Sequence, residues 1–260
     1  MKKSLSLAVA LSMASTLIAP VAVFAEENSA DRIMARPEVS CSDRSIKWEA
    51  EYAERQVKEA DRLSKMRADQ DSRIIKNRDE WNGKVLSNRS DSEAKRLENR
   101  VRQDAKLDER NANEALKAAI ATYRASIDAA ITARKASVDS ANAAFKTSHD
   151  ASLAKRRAAI DAAIATRKAA VDSAYAEWKT RCEGSTDERK AANEKFRSAV
   201  KAARETFYKS VSAAQDAHKA SMKSAQDTRQ GTLKSALETY KKAVEAAQAV
   251  FKAAREAAKV

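Results

Sequence analysis

Residues 125–147 read ASIDAAITARKASVDSANAAFKT, and residues 158–180 read AAIDAAIATRKAAVDSAYAEWKT. Sixteen of these 23 aligned positions are identical, at an offset of 33 residues. A second pair at the same offset relates ETFYKSVSAAQ at 205–215 to ETYKKAVEAAQ at 238–248. Internal repeats of this length are typical of arrays of like elements and not of a single compact globule.

Each 33-residue repeat consists of three eleven-residue units. Apolar positions follow one another at alternating spacings of four and seven through residues 116–175 and again through 196–251. Eleven residues in three turns is 3.67 residues per turn, so these positions stay on one face of a helix. The sequence therefore predicts an all-α fold of long amphipathic helices, in an elongated antiparallel bundle or coiled coil, with three helices favoured. The predicted core ladder comprises Ile127, Ile131, Val138, Leu153, Ile160, Ile164, Val171, Phe196, Val200, Phe207, Val211, Tyr240, Val244 and Phe251.

The same period is present, more weakly, nearer the N-terminus. One apolar set there is Tyr52, Leu63, Ile74 and Val85, and another is Ile75, Leu86 and Leu97, each spaced by eleven residues. One helix cannot bury its own apolar stripe. Each stripe therefore has to contact another segment of the chain, a second copy, or a lipid surface.

Charged residues recur with the same eleven-residue period. Basic residues recur every eleven positions from Arg124 to Lys179, and aspartates recur from Asp128 to Asp172. Each basic residue precedes an acid by four positions, an orientation that stabilises a helix by only about 0.2 kcal/mol per pair. We interpret both rows as a solvated face and not as a binding site.

The clearest boundary is CEGSTDERK at residues 182–190. Gly184 suits the position just after a helix, and Ser185 with Glu188 three residues later forms a capping box for the next helix. A C-terminal basic repeat helix is thus predicted over 184–260. Gly231 lies within this helix in phase with the ladder and is interpreted as a soft spot, not a turn.

The region 42–183 is predicted to be a long helical hairpin or rod. Pro37 precedes it, Ser40 or Ser42 is expected to cap it, and residues 26–41 are expected to be disordered. Asn111 and Glu114 resemble a capping box, which favours a turn near 111–113. The alternatives are a turn at Asn82–Gly83 or one uninterrupted rod from Lys84 to Cys182.

The first 25 residues have the pattern of a cleaved signal peptide. Lys2 and Lys3 precede an apolar stretch at 5–18, and Val23 and Ala25 fit a peptidase site. The chain is accordingly expected to be exported to a periplasm, a cell surface or the extracellular space.

Cys41 and Cys182 are the two cysteines. Export makes a disulfide plausible, and a turn near residue 111 would bring both to the same end of a hairpin. An intramolecular bridge is therefore favoured over an intermolecular one or free thiols.

The sequence contains few patterns that indicate a catalytic or ligand-binding site. The sequence has neither a glycine-rich phosphate loop nor a serine nucleophile motif, and no spacing brings a Cys–His pair together. His149 and His218 lie on the ladder, where we interpret them as polar residues that set register. No catalytic, cofactor-binding or metal-ligating residue is predicted, and the chain is not expected to be an enzyme.

The formal net charge is +13. Residues 26–112 carry 20 basic and 20 acidic side chains, whereas residues 184–260 carry 16 and 9. The eleven-residue period over 113–260 resembles that of exchangeable apolipoproteins and group 3 late-embryogenesis-abundant proteins, a resemblance that implies helices lying on lipid or forming on drying.

Together these patterns predict an exported, non-enzymatic helical structural or interaction protein: a spacer, a scaffold or a chaperone-like coiled coil at the cell envelope. The expected partner is another protein or a second copy, engaged through the helical stripes. The alternative is a peripheral binder that uses basic amphipathic helices on an anionic membrane surface or envelope polymer. No nucleic-acid partner is expected.

Overall fold

The computed structural model describes residues 40–109 and 112–258, of which 96% are helical. Three helices account for this: α1, Cys41–Glu109; α2, Glu114–Arg181; and α3, Thr186–Ala257. The prediction of an all-α fold with three long helices is confirmed, and the described residues contain no strand. The signal peptide and the segment expected to be disordered lie outside the described residues, apart from Ser40 and Cys41.

Each helix begins at a side-chain cap of the kind that the sequence favours. The Asp43 amide donates to Ser40 Oγ (3.1 Å), so Ser40 and not Ser42 caps α1. The Leu116 amide donates to Asn113 Oδ1 (2.8 Å) at the start of α2. The Ser185 amide donates to Glu188 Oε2 (2.7 Å), and the Glu188 amide points back to Ser185 Oγ (3.4 Å). This reciprocal pair is the capping box predicted for α3.

The helix boundaries settle the alternatives for the hairpin. Helix α1 runs unbroken through Asn82 and Gly83, so neither a turn there nor a single rod from Lys84 to Cys182 exists. The break falls between Glu109 and Glu114, and the cap is Asn113 where the sequence suggested Asn111. The Asn113 side-chain amide also donates to the Ala258 carbonyl (3.0 Å), which joins the start of α2 to the end of α3.

Gly184 has a different role from the one predicted. Its φ is not in the left-handed region, so it does not act as a left-handed helix stop. A Cβ added there would lie 2.5 Å from Glu188 Oε2. A side chain at this position would therefore have to displace the capping carboxylate.

The chain divides into two compact units. Of the described residues, the first comprises 40–82 with Arg181–Asn193, and the second comprises 83–109, 112–180 and 194–258. In the first unit a disulfide joins Cys41 to Cys182, whose Cα atoms are 5.9 Å apart, and this is the intramolecular pairing favoured by the sequence. In the same unit Trp48, 3% exposed, stacks on Tyr52 with ring centroids 4.5 Å apart.

In the second unit, α1 and α2 run antiparallel, as do α2 and α3. Arg100 of α1 pairs with Asp128 of α2, and Arg89, eleven residues earlier on α1, pairs with Asp139, eleven residues later on α2. Contacts that advance in opposite directions along two helices show that the helices are antiparallel. Buried alanines spaced by eleven residues or by multiples of eleven allow close approach of the backbones. On α2 these are Ala130, Ala141 and Ala163; on the part of α3 in this unit they are Ala203, Ala214, Ala236 and Ala247.

Candidate functional site

Between α1 and α2 of the second unit, arginines of one helix hold aspartates of the other. The Arg100 guanidinium donates two bonds to Asp128, of 2.8 and 2.7 Å, and Arg89 grips Asp139 in the same way. The hydrogen bonds to Asp128 raise the pKa of Arg100, and those from Arg100 lower the pKa of the Asp128 carboxyl. Such forked pairs fix both the distance and the register of two helices.

A second row of ion pairs runs in the opposite sense beside the first. Arg124 of α2 pairs with Asp104 of α1 at 2.7 Å, and Lys135 pairs with Glu93 at 3.6 Å. The prediction that these repeated charges form a solvated face was therefore wrong for this part of α2. The within-helix pair expected between Lys135 and Asp139 is replaced by two pairs across the interface.

Farther along α2, the predicted pairing is present: Lys168 donates to Asp172 at 2.7 Å. Opposite Asp128 and Asp139, α1 offers partners of opposite charge at matching eleven-residue spacing. The sequence of α1 contains that signal, since Arg89 and Arg100, like Glu93 and Asp104, are eleven residues apart.

The core ladder lies at the helix interfaces. Six of its fourteen members are buried, eight are half-buried and none is exposed. The buried members are Leu153, Ile160, Val171, Phe196, Phe207 and Val211, and the half-buried ones are Ile127, Ile131, Val138, Ile164, Val200, Tyr240, Val244 and Phe251.

A row of alternating cations and rings joins α2 to α3, and the sequence reasoning missed it. Arg134 lies over the Tyr240 ring (5.3 Å), and Arg167 lies over the Phe207 ring (4.5 Å). Between them the order is reversed, because Arg229 of α3 lies over the Phe145 ring of α2 (5.5 Å). The row ends where Trp178 meets Phe196, with centroids 6.5 Å apart.

We call this set the cation–aromatic row. Its members recur every eleven residues: Arg134, Phe145, Arg156, Arg167 and Trp178 on α2, and Tyr240, Arg229, His218, Phe207 and Phe196 on α3.

His218 lies at the middle of this row, and His149 of α2 is its neighbour. His149 and His218 approach edge to face with centroids 6.5 Å apart, and Ser152 Oγ lies 2.8 Å from His218 Nδ1. Burial is the main cause that lowers the pKa of His218; nearby Arg156 and His149 lower it further, and the bond to Ser152 opposes them. A neutral ring is thus favoured at His218, as its place opposite Arg156 requires.

Burial also acts on the arginines of the row. It lowers the pKa of Arg156, with the neighbouring Arg157 adding to the effect, and it lowers the pKa of Arg229. Arg229 keeps a neutral partner, since its Nε donates to Asn142 Oδ1 at 2.8 Å. The half-buried Arg229 therefore rests on one ring and one amide, an arrangement that fixes the register of α3 against α2.

One open groove of about 420 Å³ lies between α2 and α3. Its walls are mostly alanine, serine and threonine around Gly231, with Arg134 and Tyr240 at one side. Among the residues that the structure describes, no group of three or more His, Cys, Asp or Glu side chains could hold a metal ion. Within the same residues, none of the helices has the length and apolarity needed to cross a bilayer.

Comparison with known proteins finds no matching family model, no similar curated protein and no similar solved structure. The side chains brought together by the fold are those of the ion-pair rows, the cation–aromatic row and the disulfide. The candidate functional surfaces are accordingly the outer faces of the helices.

Proposed function

We propose that this chain is an exported, non-enzymatic helical protein with a structural or interaction role, acting as a spacer, scaffold or chaperone-like coiled coil at the cell envelope. The observation that carries the proposal is the cation–aromatic row. It uses arginine, histidine and aromatic side chains, the types most useful for binding and catalysis, to hold α2 on α3 in one fixed register. What is left for other molecules is the outer surface of helices that are already stably paired.

The disulfide supports the compartment. A bridge between Cys41 and Cys182 persists in oxidising surroundings such as a periplasm or the extracellular space and is rare in a reducing cytosol. It agrees with the signal-peptide pattern of the first 25 residues.

A second candidate role is binding to an anionic membrane surface or envelope polymer. It is favoured by the 16 basic and nine acidic side chains of residues 184–260. Neighbouring cations support it in a small way: the hydrogen bond from Lys241 is the main cause that lowers the pKa of Glu238, and the charges of Lys234 and Lys242 lower it further. Against it, lysines of α3 such as Lys223 and Lys241 already pair with acids on their own helix.

Circular dichroism of the purified chain, with and without vesicles of anionic phospholipid, separates the two roles. The scaffold proposal expects full helicity and a cooperative thermal transition in buffer, with little change when vesicles are added. Helix that forms only with vesicles would replace it by the surface-binding role. Proteomic identification of what the tagged chain retains from its own envelope fraction, at low and high salt, then tests the scaffold role directly.

A further inference from the structure

Helix α1 exposes an apolar row that none of the residues described by the structure covers. The described residues include seven exposed large apolar side chains, and six of them are on α1. In the second unit they are Leu86, Leu97 and Val101, which are 66%, 52% and 69% exposed. In the first unit they are Ile46, Val57 and Ile75, which are 64%, 69% and 60% exposed.

The row has the same spacing as the buried interfaces. Ile75, Leu86 and Leu97 are eleven residues apart, and Val101 follows Leu97 by four. The neighbouring positions hold small exposed residues, such as Ser90 and Ala94, that leave room for another helix backbone. The other eleven-residue set predicted for this helix faces inward, since Ile74 is buried and Val85 is half-buried.

Charges beside the row identify what covers it. On one flank, Glu98 and Glu109 of the second unit are exposed and eleven residues apart. The same flank in the first unit carries Lys65 and Lys76, also exposed and eleven residues apart. These side chains make at most exposed pairs within their own helix, for example Lys65 with Asp61 and Glu98 with Arg102, and such pairs are weak.

The other flank does not oppose association. Its acids in the second unit, Glu93 and Asp104, are already neutralised by Lys135 and Arg124 of α2. A surface with acidic flanks is a poor match for anionic lipid, which attracts helices with basic flanks. A helix with the same period and with lysine where this one has glutamate is a good match.

We propose that α1 of a second copy covers this row in an antiparallel homodimer. Antiparallel pairing centred near Leu86 places Glu98 and Glu109 of one copy beside Lys76 and Lys65 of the other, and does so twice by symmetry. It also places Val101 of one copy near Ile75 of the other. Parallel pairing would instead place this flank beside the opposite flank of the other copy, with Glu98 near the acids Glu93 and Asp104. The inference deepens the proposed interaction role by naming its first partner.

The test is light scattering during gel filtration of the oxidised chain over a range of concentrations. The wild-type chain is expected to have twice the chain mass. Leu86→Glu with Leu97→Glu is expected to weaken the dimer by roughly tenfold or more for each substitution, because the interface loses a buried leucine each time. The matched control is Val250→Glu. Among the described residues, Val250 is the exposed large apolar side chain that lies on α3 and not on α1, so this change should leave the dimer intact.

A charge exchange tests the orientation. Glu98→Lys with Glu109→Lys should weaken the dimer, and adding Lys65→Glu with Lys76→Glu in the same chain should restore it at an unchanged net charge. Failure of that restoration would overturn the antiparallel arrangement. A wild-type chain that is monomeric throughout, or that floats with anionic vesicles, would overturn the dimer. A monomeric chain would not affect the scaffold role, whose own test is helicity in buffer and partners retained from the envelope, whereas flotation with vesicles would favour the surface-binding role.

Discussion

Glycine has opposite effects at two positions of this chain. At Gly231 a Cβ would meet nothing within 4 Å, and the residue lies inside α3. Gly231→Ala is therefore expected to raise the free energy of unfolding by about 0.5–1 kcal/mol, because alanine loses less backbone entropy in a helix. At Gly184 the Cβ would displace the Glu188 carboxylate from its capping position. Gly184→Ala should therefore lower the free energy of unfolding by about 1 kcal/mol.

Urea unfolding of both alanine variants measures these changes. The control is Glu188→Ala, alone and together with Gly184→Ala. If the lost cap is the cause, the second substitution should cost little more in a chain that already lacks the capping carboxylate. Additive losses would show that Gly184 matters for another reason.

His218 makes stability depend on pH. Because its pKa in the folded protein is lowered from the ordinary value of about 6.5, the unfolded chain takes up the proton first as the pH falls. The stabilising contribution of the neutral ring is then fully present above about pH 6.5 and is lost as the pH falls toward the folded pKa. Protonation would also place a second cation beside Arg156.

Thermal unfolding between pH 7.5 and 5 tests this expectation. The wild-type midpoint should fall on acidification, and His218→Gln should flatten the dependence, because an amide can keep the bond to Ser152 without titrating. Carboxyl groups with lowered pKa values, such as Asp128 and Glu188, lose their contribution at lower pH and do not interfere. An equal slope in both proteins would contradict the assignment.

At the scale of the element, one eleven-residue period sets several interfaces at once. On α2 the period aligns the apolar ladder, the alanines beside it, the aspartates that face α1 and the arginines that face α3. Because the register is shared, a slip of one residue would break all of these contacts together. This multiplicity selects a single alignment, which a simple apolar stripe with many near-equivalent registers would not do.

The cation–aromatic row allows a direct exchange experiment. Phe145→Arg alone should destabilise the chain, because the new cation would face Arg229. Arg229→Phe alone should remove a cation–ring contact worth about 0.5–2 kcal/mol. Made together, the two substitutions recreate the order found at Arg134–Tyr240 and Arg167–Phe207 and should recover most of the lost stability. Urea midpoints of the two single variants and the double variant give the coupling; no recovery would mean that the contact is incidental.

Much of this element structure could be predicted from the sequence. The period located the ladder, and local capping signals located the start of α3, since both depend on residues close together in the chain. The contacts of Asp128 and Asp139 could not be assigned in the same way. Whether a repeated charge faces water or a neighbouring helix depends on which face α1 covers. For the same reason, Ile74 and Ile75, adjacent and equally apolar, differ in exposure.

At the scale of the whole molecule, the chain relies on contacts between residues far apart in sequence. Three features close the long connections: the disulfide between Cys41 and Cys182, the Asn113 bond to the Ala258 carbonyl, and the interfaces that share one register. Long loops are costly to close, and the cost grows only slowly with length. Of these features only the disulfide is covalent, and it is therefore the strongest single constraint among them.

Reduction is expected to lower the stability of the chain by up to about 5 kcal/mol, the loop-entropy value for a closure of this length. The bridge spans a sequence separation of 141 residues, so its loss restores a large freedom to the unfolded chain. Urea unfolding with and without reductant measures the change. Cys41→Ser with Cys182→Ser should match the reduced wild type and be insensitive to reductant. A non-reducing gel should show a compact monomer; a disulfide-linked dimer, or a midpoint unmoved by reductant, would contradict the intramolecular bridge.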